Sequence, residues 1–428
     1  MDKAELLAQL ISCRRDFHKY PESGWKEFRT TAKIAEALEK LGYQLRFADS
    51  FIREKAVMGR AVDPEKEKRR AAEQGAPAEQ LEKIGRYTGL CAELDTGRPG
   101  PLSAIRFDID AVEVQEAREK KHRPFRDGFA SVNDGVMHAC GHDGHTAVGI
   151  ALASLLAEKK EKLRGRIRLI FQPAEEGVRG GYAFVDAGLA DAVDCFVAFH
   201  LGLGLPTGNV FCSAEGFLCT TKFDAAFEGV GAHAGGEPER GKNALLAAAS
   251  AALNLHAIAP HSEGRTRLNV GWLQAGEGRN VIPPSALMKL ETRGETAKTE
   301  DYLYQRAMEV ITGAALMYGV HASVRKMGEA PGAVCSPKLA ELVKEAASEM
   351  EGVDRISLCR KFGGSDDACW YIKRVTERGG LATYIGIASD NSAGHHNRSF
   401  DIDESSMLIA TELLSRLMLK TNGVTRGC

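Results

Sequence analysis

Residues 137–145 read Met137-His138-Ala139-Cys140-Gly141-His142-Asp143-Gly144-His145, and Ala147, Val148, Ile150, Ala151, Leu155 and Leu156 follow them at helical spacing. One thiol, one carboxylate and three imidazoles fall within this nine-residue stretch, just ahead of a helix, and read as a metal site. Cys thiolate and His nitrogen are borderline-soft ligands, and glycine in the turn lets both donors approach from one side. A metal that staples two loops and a metal that hydrolyses a bond begin with the same residues. The cluster alone therefore leaves the chemistry open.

Working outward, four more segments bear on it. Ser103-Ala104-Ile105-Arg106-Phe107-Asp108-Ile109-Asp110 reads as a buried strand with aspartates at its exit. Arg166–Gln172 is a strand that runs into Pro173-Ala174-Glu175-Glu176-Gly177, and Cys195–Phe199 is a strand ending at His200. Leu381–Ile387 is a further strand leading to Gly394-His395-His396. Strands alternating with helical patterns predict an α/β fold, a mostly parallel sheet flanked by helices, with ligands collecting at the carboxyl ends of the strands. Each element has an ordinary structural explanation: a charged loop, a histidine bonded to backbone, turn aspartates. Together they bring Asp, Cys and His, paired Glu, His and His to one sheet edge. Five mixed donors exceed what one tetrahedral ion needs, so two divalent ions are expected.

A chain of 428 residues predicts two or three domains. Its 44% hydrophobic and 27% charged residues are those of a globular protein, and a formal charge of −2 gives no reason to expect nucleic acid or an anionic membrane as partner. A small-molecule substrate is expected instead. The start of the chain lacks the basic and apolar regions of a signal peptide, and no apolar run reaches the roughly 18 residues that span a bilayer. Ten cysteines at irregular spacing read as buried thiols of a reducing compartment, which places the protein in the cytoplasm.

The remaining segments define the domain plan. Residues from about Glu5 to Leu41 read as helices, with His18 taken as a capping or packing histidine. Residues 53–86 are rich in Glu, Lys, Arg and Ala and read as an inserted, solvated helical hairpin. Residues 217–326 carry different patterns: the strand Lys222–Glu228, the turn Gly229-Val230-Gly231-Ala232-His233-Ala234, a helix near 243–256 and the strand Arg267–Leu273. They predict a smaller α+β domain at 215–327 inserted into a catalytic domain of residues 1–214 and 328–428, with an edge or helix suited to pairing with another copy.

His138–His145, Pro173–Gly177, Gly229–Ala234, Asn280-Val281-Ile282-Pro283 and His396 followed by Phe400 occur in this order along nearly the whole chain. In this they resemble the aminoacylase and carboxypeptidase superfamily of di-metal amidohydrolases, and within it the branch that acts on N-acyl amino acids. The insertion, the segment Gly363–Ala368 and the doubled His395-His396 are most similar to the aminobenzoyl-glutamate hydrolases of that branch. The resemblance implies Cys140, His142, Glu176, His200 and His396 as ligands of two Mn2+ or Zn2+ ions and Glu175 as general base. It implies His233 as an oxyanion donor to a neighbouring subunit's site, with Asn280 and Arg293 near the substrate. Asp110-Ala111-Val112-Glu113 departs from the usual Asp-Ala-Leu-Pro of this branch. The implied reaction is cleavage of an N-acyl amino acid such as p-aminobenzoyl-glutamate by a homodimer or a complex with a related subunit. A general N-acyl-amino-acid deacylase or dipeptidase is the alternative within this chemistry, and a non-catalytic metal-binding subunit the alternative outside it.

Overall fold

The computed structural model describes residues 2–424. In chain order its strands are β1 (Gln44–Phe47), β2 (Leu90–Asp95), β3 (Leu102–Asp108), β4 (Arg166–Gln172), β5 (Cys195–Gly202), β6 (Leu205–Phe211), β7 (Ala214–Glu215), β8 (Cys219–Glu228), β9 (Thr266–Ala275), β10 (Ser285–Gly294), β11 (His321–Ala330), β12 (Arg355–Ser357), β13 (Arg360–Lys361) and β14 (Leu381–Ser389). The α-helices are α1 (Lys3–Lys19), α2 (Phe28–Lys40), α3 (Pro64–Glu73), α4 (Ala78–Lys83), α5 (Arg123–Arg126), α6 (His142–Glu158), α7 (Gly181–Asp186), α8 (Ala244–His256), α9 (Ala297–Tyr318), α10 (Pro337–Ser348), α11 (Ala368–Glu377) and α12 (Ser406–Asn422). They form two units: residues 2–215 with Ala333–Phe362 and residues 367–424, and a second unit of Gly216–Gly332 with Gly363–Asp366.

The first unit is built on an eight-stranded sheet of order β1-β2-β4-β3-β5-β14-β6-β12. Its middle strands β4, β3, β5 and β14 run parallel, while β1, β2 and β6 pair antiparallel with their neighbours on the way to the edges. Continuous apolar runs such as Cys195–Phe199 suit parallel strands because helices cover both faces. On β5, Cys195, Val197 and Phe199 join the core beneath α1, α6 and α12, whereas Phe196 stacks on Tyr371 of α11 at 5.1 Å. Helix α6 lies close to the sheet at Gly149, where an added Cβ would come within 2.6 Å of the Phe171 ring.

The charged insertion is less solvated than its composition predicts. Ala71, Leu81 and Ile84 pack with Phe28 and Ala32 of α2 in a small satellite core. Arg70 donates to the buried Glu22 carboxylate at 2.7 Å, and Arg29 donates to the Gln74 carbonyl at 2.9 Å. Three apolar side chains on one side of two short helices are enough to dock them, because the rest of each surface is charged and stays in water.

In the second unit, β8 to β11 form an antiparallel sheet of order β11-β8-β10-β9. Phe223, Phe227 and Met288 pack there against Ala248 and Ile311 of α8 and α9. Thr296 starts α9 with a capping box to Thr299. Strand β9 is an outer strand with a mostly exposed surface, including Trp272 and Leu273.

Candidate metal centre

The carboxyl ends of the four parallel strands and the N-terminus of α6 bring the predicted ligands of the first unit together. Cys140, His142 and Glu176 place one donor atom each within 4.8 Å of one another, and Cys140, His200 and His395 form a second such group. His396 Nε2 lies 3.1 Å from a Glu176 carboxylate oxygen. Cys140 is common to both groups. The turn that presents it needs Gly141, which adopts φ +91° at the N-cap of α6.

Backbone carbonyls orient the imidazoles. His142 donates from Nδ1 to the Asp110 carbonyl at 2.9 Å, and His200 donates from Nδ1 to the Leu201 carbonyl at 2.6 Å. Each ring therefore keeps its proton on Nδ1 and turns the Nε2 lone pair the other way. His200 Nε2 lies 3.5 Å from Cys140 Sγ, and His142 Nε2 is buried with no hydrogen-bond partner. Burial and the Glu176 carboxylate push the Cys140 thiol up, so a nearby cation is what would hold it as thiolate. An orphaned imidazole nitrogen, a thiol and a carboxylate facing one buried point fit a divalent cation, since a neutral interior would leave each of them costly. His395, to which the sequence assigns no role, accepts the Leu203 amide on Nε2 at 3.3 Å. It therefore directs an Nδ1 proton toward Cys140 Sγ at 3.4 Å.

Glu175 and Glu176 sit on a loop whose backbone is held by buried carboxylates. Ala174 donates its amide to Glu27 at 2.8 Å, and Glu175 and Glu176 donate theirs to the two oxygens of Asp110 at 3.0 and 2.9 Å. Gly180 and Gly181 both donate to Asp367, which also receives Arg106 at 2.6 Å. Arg179 Nε donates to the Glu176 carbonyl at 2.9 Å. Ala174 and Val178 adopt φ +53° and +55°, a region costing roughly 1–3 kcal/mol for a residue with a side chain, so the anchoring bonds hold a strained turn.

Of the other acidic and imidazole groups of the motif, His145 and Asp143 are engaged elsewhere and His138 is not bonded. His145 bonds Asp108 through Nδ1 and accepts the Leu201 amide on Nε2 at 2.9 Å. Asp108 also binds Arg106; burial opposes its charge, but His142, Arg106 and His145 hold it well below the usual carboxylate range. Asp143 accepts from Arg14 at 3.0 Å and from His18 at 2.7 Å. His18 is thus part of a buried ion network and not a ligand or cap. His138 has no hydrogen-bond partner on either nitrogen, and burial pushes it down to about 3, so it stays neutral.

In the second unit, His233 is exposed and its Nδ1 accepts the Gly235 and Gly236 amides at 3.1 and 3.0 Å, which leaves Nε2–H as an outward donor. Asn280 is exposed beside it, its carbonyl accepting the Ala234 amide at 2.9 Å. The Arg293 guanidinium is engaged by Glu291 at 2.9 and 3.2 Å.

The chain is similar to known proteins along most of its length. The model of Peptidase family M20/M25/M40 matches residues 104–420. Indole-3-acetyl-aspartic acid hydrolase of Enterobacter agglomerans is 51% identical, over 96% of this chain and 95% of its own. A p-aminobenzoyl-glutamate hydrolase subunit of Escherichia coli is 50% identical, over 97% of this chain and 96% of its own. Among solved structures, an aminobenzoyl-glutamate utilization protein from Klebsiella pneumoniae superposes with a TM-score of 0.84 at 43% identity, covering 100% of this chain and 98% of that one. A dinuclear metal-binding peptidase of the M20 family from Bacillus subtilis superposes with a TM-score of 0.66 at 26% identity, covering 98% of this chain and 100% of that one. The chain belongs to Peptidase family M20/M25/M40 and is a metal-dependent hydrolase of that family.

Proposed function

We propose that the chain hydrolyses the amide bond of an N-acyl amino acid that joins an aromatic acyl group to an acidic amino acid, with p-aminobenzoyl-glutamate, cleaved to p-aminobenzoate and glutamate, as the leading case. The observation that carries this reading is the clamped Glu175-Glu176 pair beside the Cys140–His142 cluster. The names of the two half-identical relatives, an indole-acetyl-aspartate and an aminobenzoyl-glutamate hydrolase, support the substrate class.

Cys140, His142, Glu176, His200 and His396 would hold two divalent cations, Mn2+ or Zn2+, through a thiol, imidazoles and a carboxylate that suit either ion. Such cations, when bound, acidify a water and polarise an amide carbonyl. Glu175 would take the proton of the attacking water and return it to the departing nitrogen. Glu175 and Glu176 are successive residues of a turn clamped by Asp110, and Glu176 is the one that lies beside Cys140 and His142, which leaves Glu175 for the proton transfer. His233 supplies an N–H to the developing oxyanion from a second copy of the chain. Asn280 and Arg293 would lie near the substrate, Arg293 with its guanidinium held by Glu291. The second unit serves as lid and dimerisation domain. Among the described residues no helix is long and apolar enough to cross a membrane. The nine described cysteines are free thiols, which supports the cytoplasm, a reducing compartment, as the site of action.

The test is a release assay on protein reconstituted with Mn2+ or Zn2+, over p-aminobenzoyl-glutamate, indole-3-acetyl-aspartate and simple N-acetyl amino acids. Preference for the aromatic conjugates is expected; equal cleavage of the simple substrates would replace this reading with a general deacylase. Activity that appears only with an added related subunit would make the enzyme a heteromer, and no activity under any condition would make it a non-catalytic subunit. Glu175→Gln is expected to lower kcat by at least about a hundredfold while bound metal stays at the wild-type level. Retained turnover in that variant removes Glu175 as the base.

A further inference from the structure

The loop that carries Glu175 and Glu176 is anchored at its start by a side chain with no part in the reaction above. Glu27 precedes α2 and is fully buried. One of its oxygens accepts the Ala174 amide at 2.8 Å, and the other lies 2.6 Å from Thr88 Oγ1. Among the described residues no Lys, Arg or His forms an ion pair with it, and the nearby Asp110 carboxylate takes the next two amides of the loop. Burial first, and then the charge of Asp110, push the Glu27 carboxyl up to about 8, so at neutral pH it is mostly the uncharged acid. Its two oxygens accept the Ala174 N–H and the Thr88 hydroxyl, so both are used.

The bond to Ala174 falls where the backbone is least comfortable. Ala174 sits at φ +53°, directly before the two glutamates. Pro173 is wedged from the other side against Gly89, where an added Cβ would come within 2.5 Å of its ring. Release of the Ala174 amide would let this residue relax toward negative φ, and that rotation would swing the following side chains away from their present directions.

We propose that Glu27 is the positioning residue of the general base: by fixing Ala174 in the left-handed conformation it sets the direction of the Glu175 carboxylate. The proposal rests on the assignment of Glu175 as base. The experiment compares Glu27→Gln, Glu27→Ala, Thr88→Val and Glu175→Gln in the full chain, with p-aminobenzoyl-glutamate and saturating Mn2+, alongside hydrogen exchange of the metal-free proteins.

Gln keeps an acceptor for Ala174, and the Thr88 hydroxyl, which can accept as well as donate, keeps a partner in its NH2 group, so Glu27→Gln is expected within about threefold of wild-type kcat. Glu27→Ala should lower kcat at least about tenfold with KM changed by less than about twofold, because a misdirected base slows chemistry more than binding. Adding it to Glu175→Gln should cost nothing further, since the two act through one group. In the metal-free protein, exchange of the Ala174 amide should quicken in Glu27→Ala and stay slow in Glu27→Gln. If Glu27→Ala does not fold, Thr88→Val carries the test with a smaller fall in kcat at unchanged KM.

Unchanged kcat in Glu27→Ala, or in Thr88→Val where it stands in, overturns the proposal while Glu175→Gln is inactive. Equal damage in Glu27→Gln and Glu27→Ala overturns the role of an uncharged acid. Full activity in Glu175→Gln instead removes the base assignment, and the exchange result then still reports whether Glu27 holds the loop.

Discussion

Asp110 serves the candidate site with three atoms: its carboxylate oxygens accept the Glu175 and Glu176 amides and its carbonyl accepts the His142 Nδ1 proton. It therefore fixes a proposed ligand and the proposed base from one backbone position. Asp110→Asn replaces one accepting oxygen by an NH2 group that would face an N–H. The lost charge-assisted bond is worth about 1.5–3 kcal/mol, so kcat should fall by roughly ten- to a hundredfold, measured in the release assay with bound metal recorded alongside. A variant with wild-type kcat would leave the clamp without a role. The sequence shows that Asp108 and Asp110 stand at a strand exit but not which does what, because two residues of one type two positions apart share a strand face. Their partners separate them: Arg106 and His145 take Asp108, and backbone takes Asp110. Glu27 carries no mark in sequence at all, since a glutamate before a helix is ordinary, and its role depends on Ala174 across the fold. His395 was equally silent, because the choice between neighbouring histidines depends on a backbone that turns through φ +62° at His396.

Helices α1 and α6 are joined by charge as well as by apolar packing. Arg14 of α1 is fully buried and binds Asp143, Asp401 and Glu404, while His18 sits between Asp143 and Glu116. Truncating one partner leaves the others buried and unpaired. Arg14→Met should thus destabilise the fold by about 3–5 kcal/mol in urea unfolding, and Arg15→Met, whose side chain is a third exposed, by much less. The network also sets a pH window. Against the cost of burial, Glu116 is drawn down to about 2 by His122 and His18, and Asp401 to about 2 by Arg14 and Arg123. Their folded values lie below the unfolded ones, so the stability they confer is complete above about pH 4.5 and is lost as pH falls toward 2. His18 works in the opposite sense: against burial, Asp143 and Glu116 raise it to about 9, so its contribution is complete below 6.5 and is lost as pH rises through 9. Urea midpoints should therefore be highest between about pH 4.5 and 6.5, and Glu116→Gln should flatten both limbs. At this scale the sequence was informative where pattern alone suffices. The apolar run of β5 and the nearly apolar β14 identify buried parallel strands, whereas the docking of α3 and α4 rests on Ala71, Leu81 and Ile84, three apolar residues scattered among charges.

Across the whole chain, the change of pattern after β7 marks the second unit in the sequence, but its return does not. Gly363–Asp366 lies far along the chain and belongs to that unit through the Leu218 amide on the Gly364 carbonyl at 2.8 Å and Ser365 on the Leu218 carbonyl at 2.8 Å, contacts without a periodic signature. The second unit also bears on assembly. Its sheet ends at β9, an outer strand whose Trp272 and Leu273 are each 40% exposed, and an apolar strand edge left open is a template for another strand. A strand that pairs antiparallel with its own copy around a two-fold axis makes a closed, self-complementary contact, so the proposed homodimer would use this edge. The double variant Trp272→Glu/Leu273→Glu places like charges across that axis and should convert a dimer to single chains in light scattering. If His233 serves the partner's site, kcat should fall with it, by the factor measured for His233→Ala, and mixing the His233→Ala and Glu175→Gln chains should restore a fraction of activity in mixed dimers. A dimer that persists in the double variant would move the contact off β9. Loss of the dimer with kcat intact would keep the contact but confine each active site to one chain, and His233 would lose its role as a donor in trans.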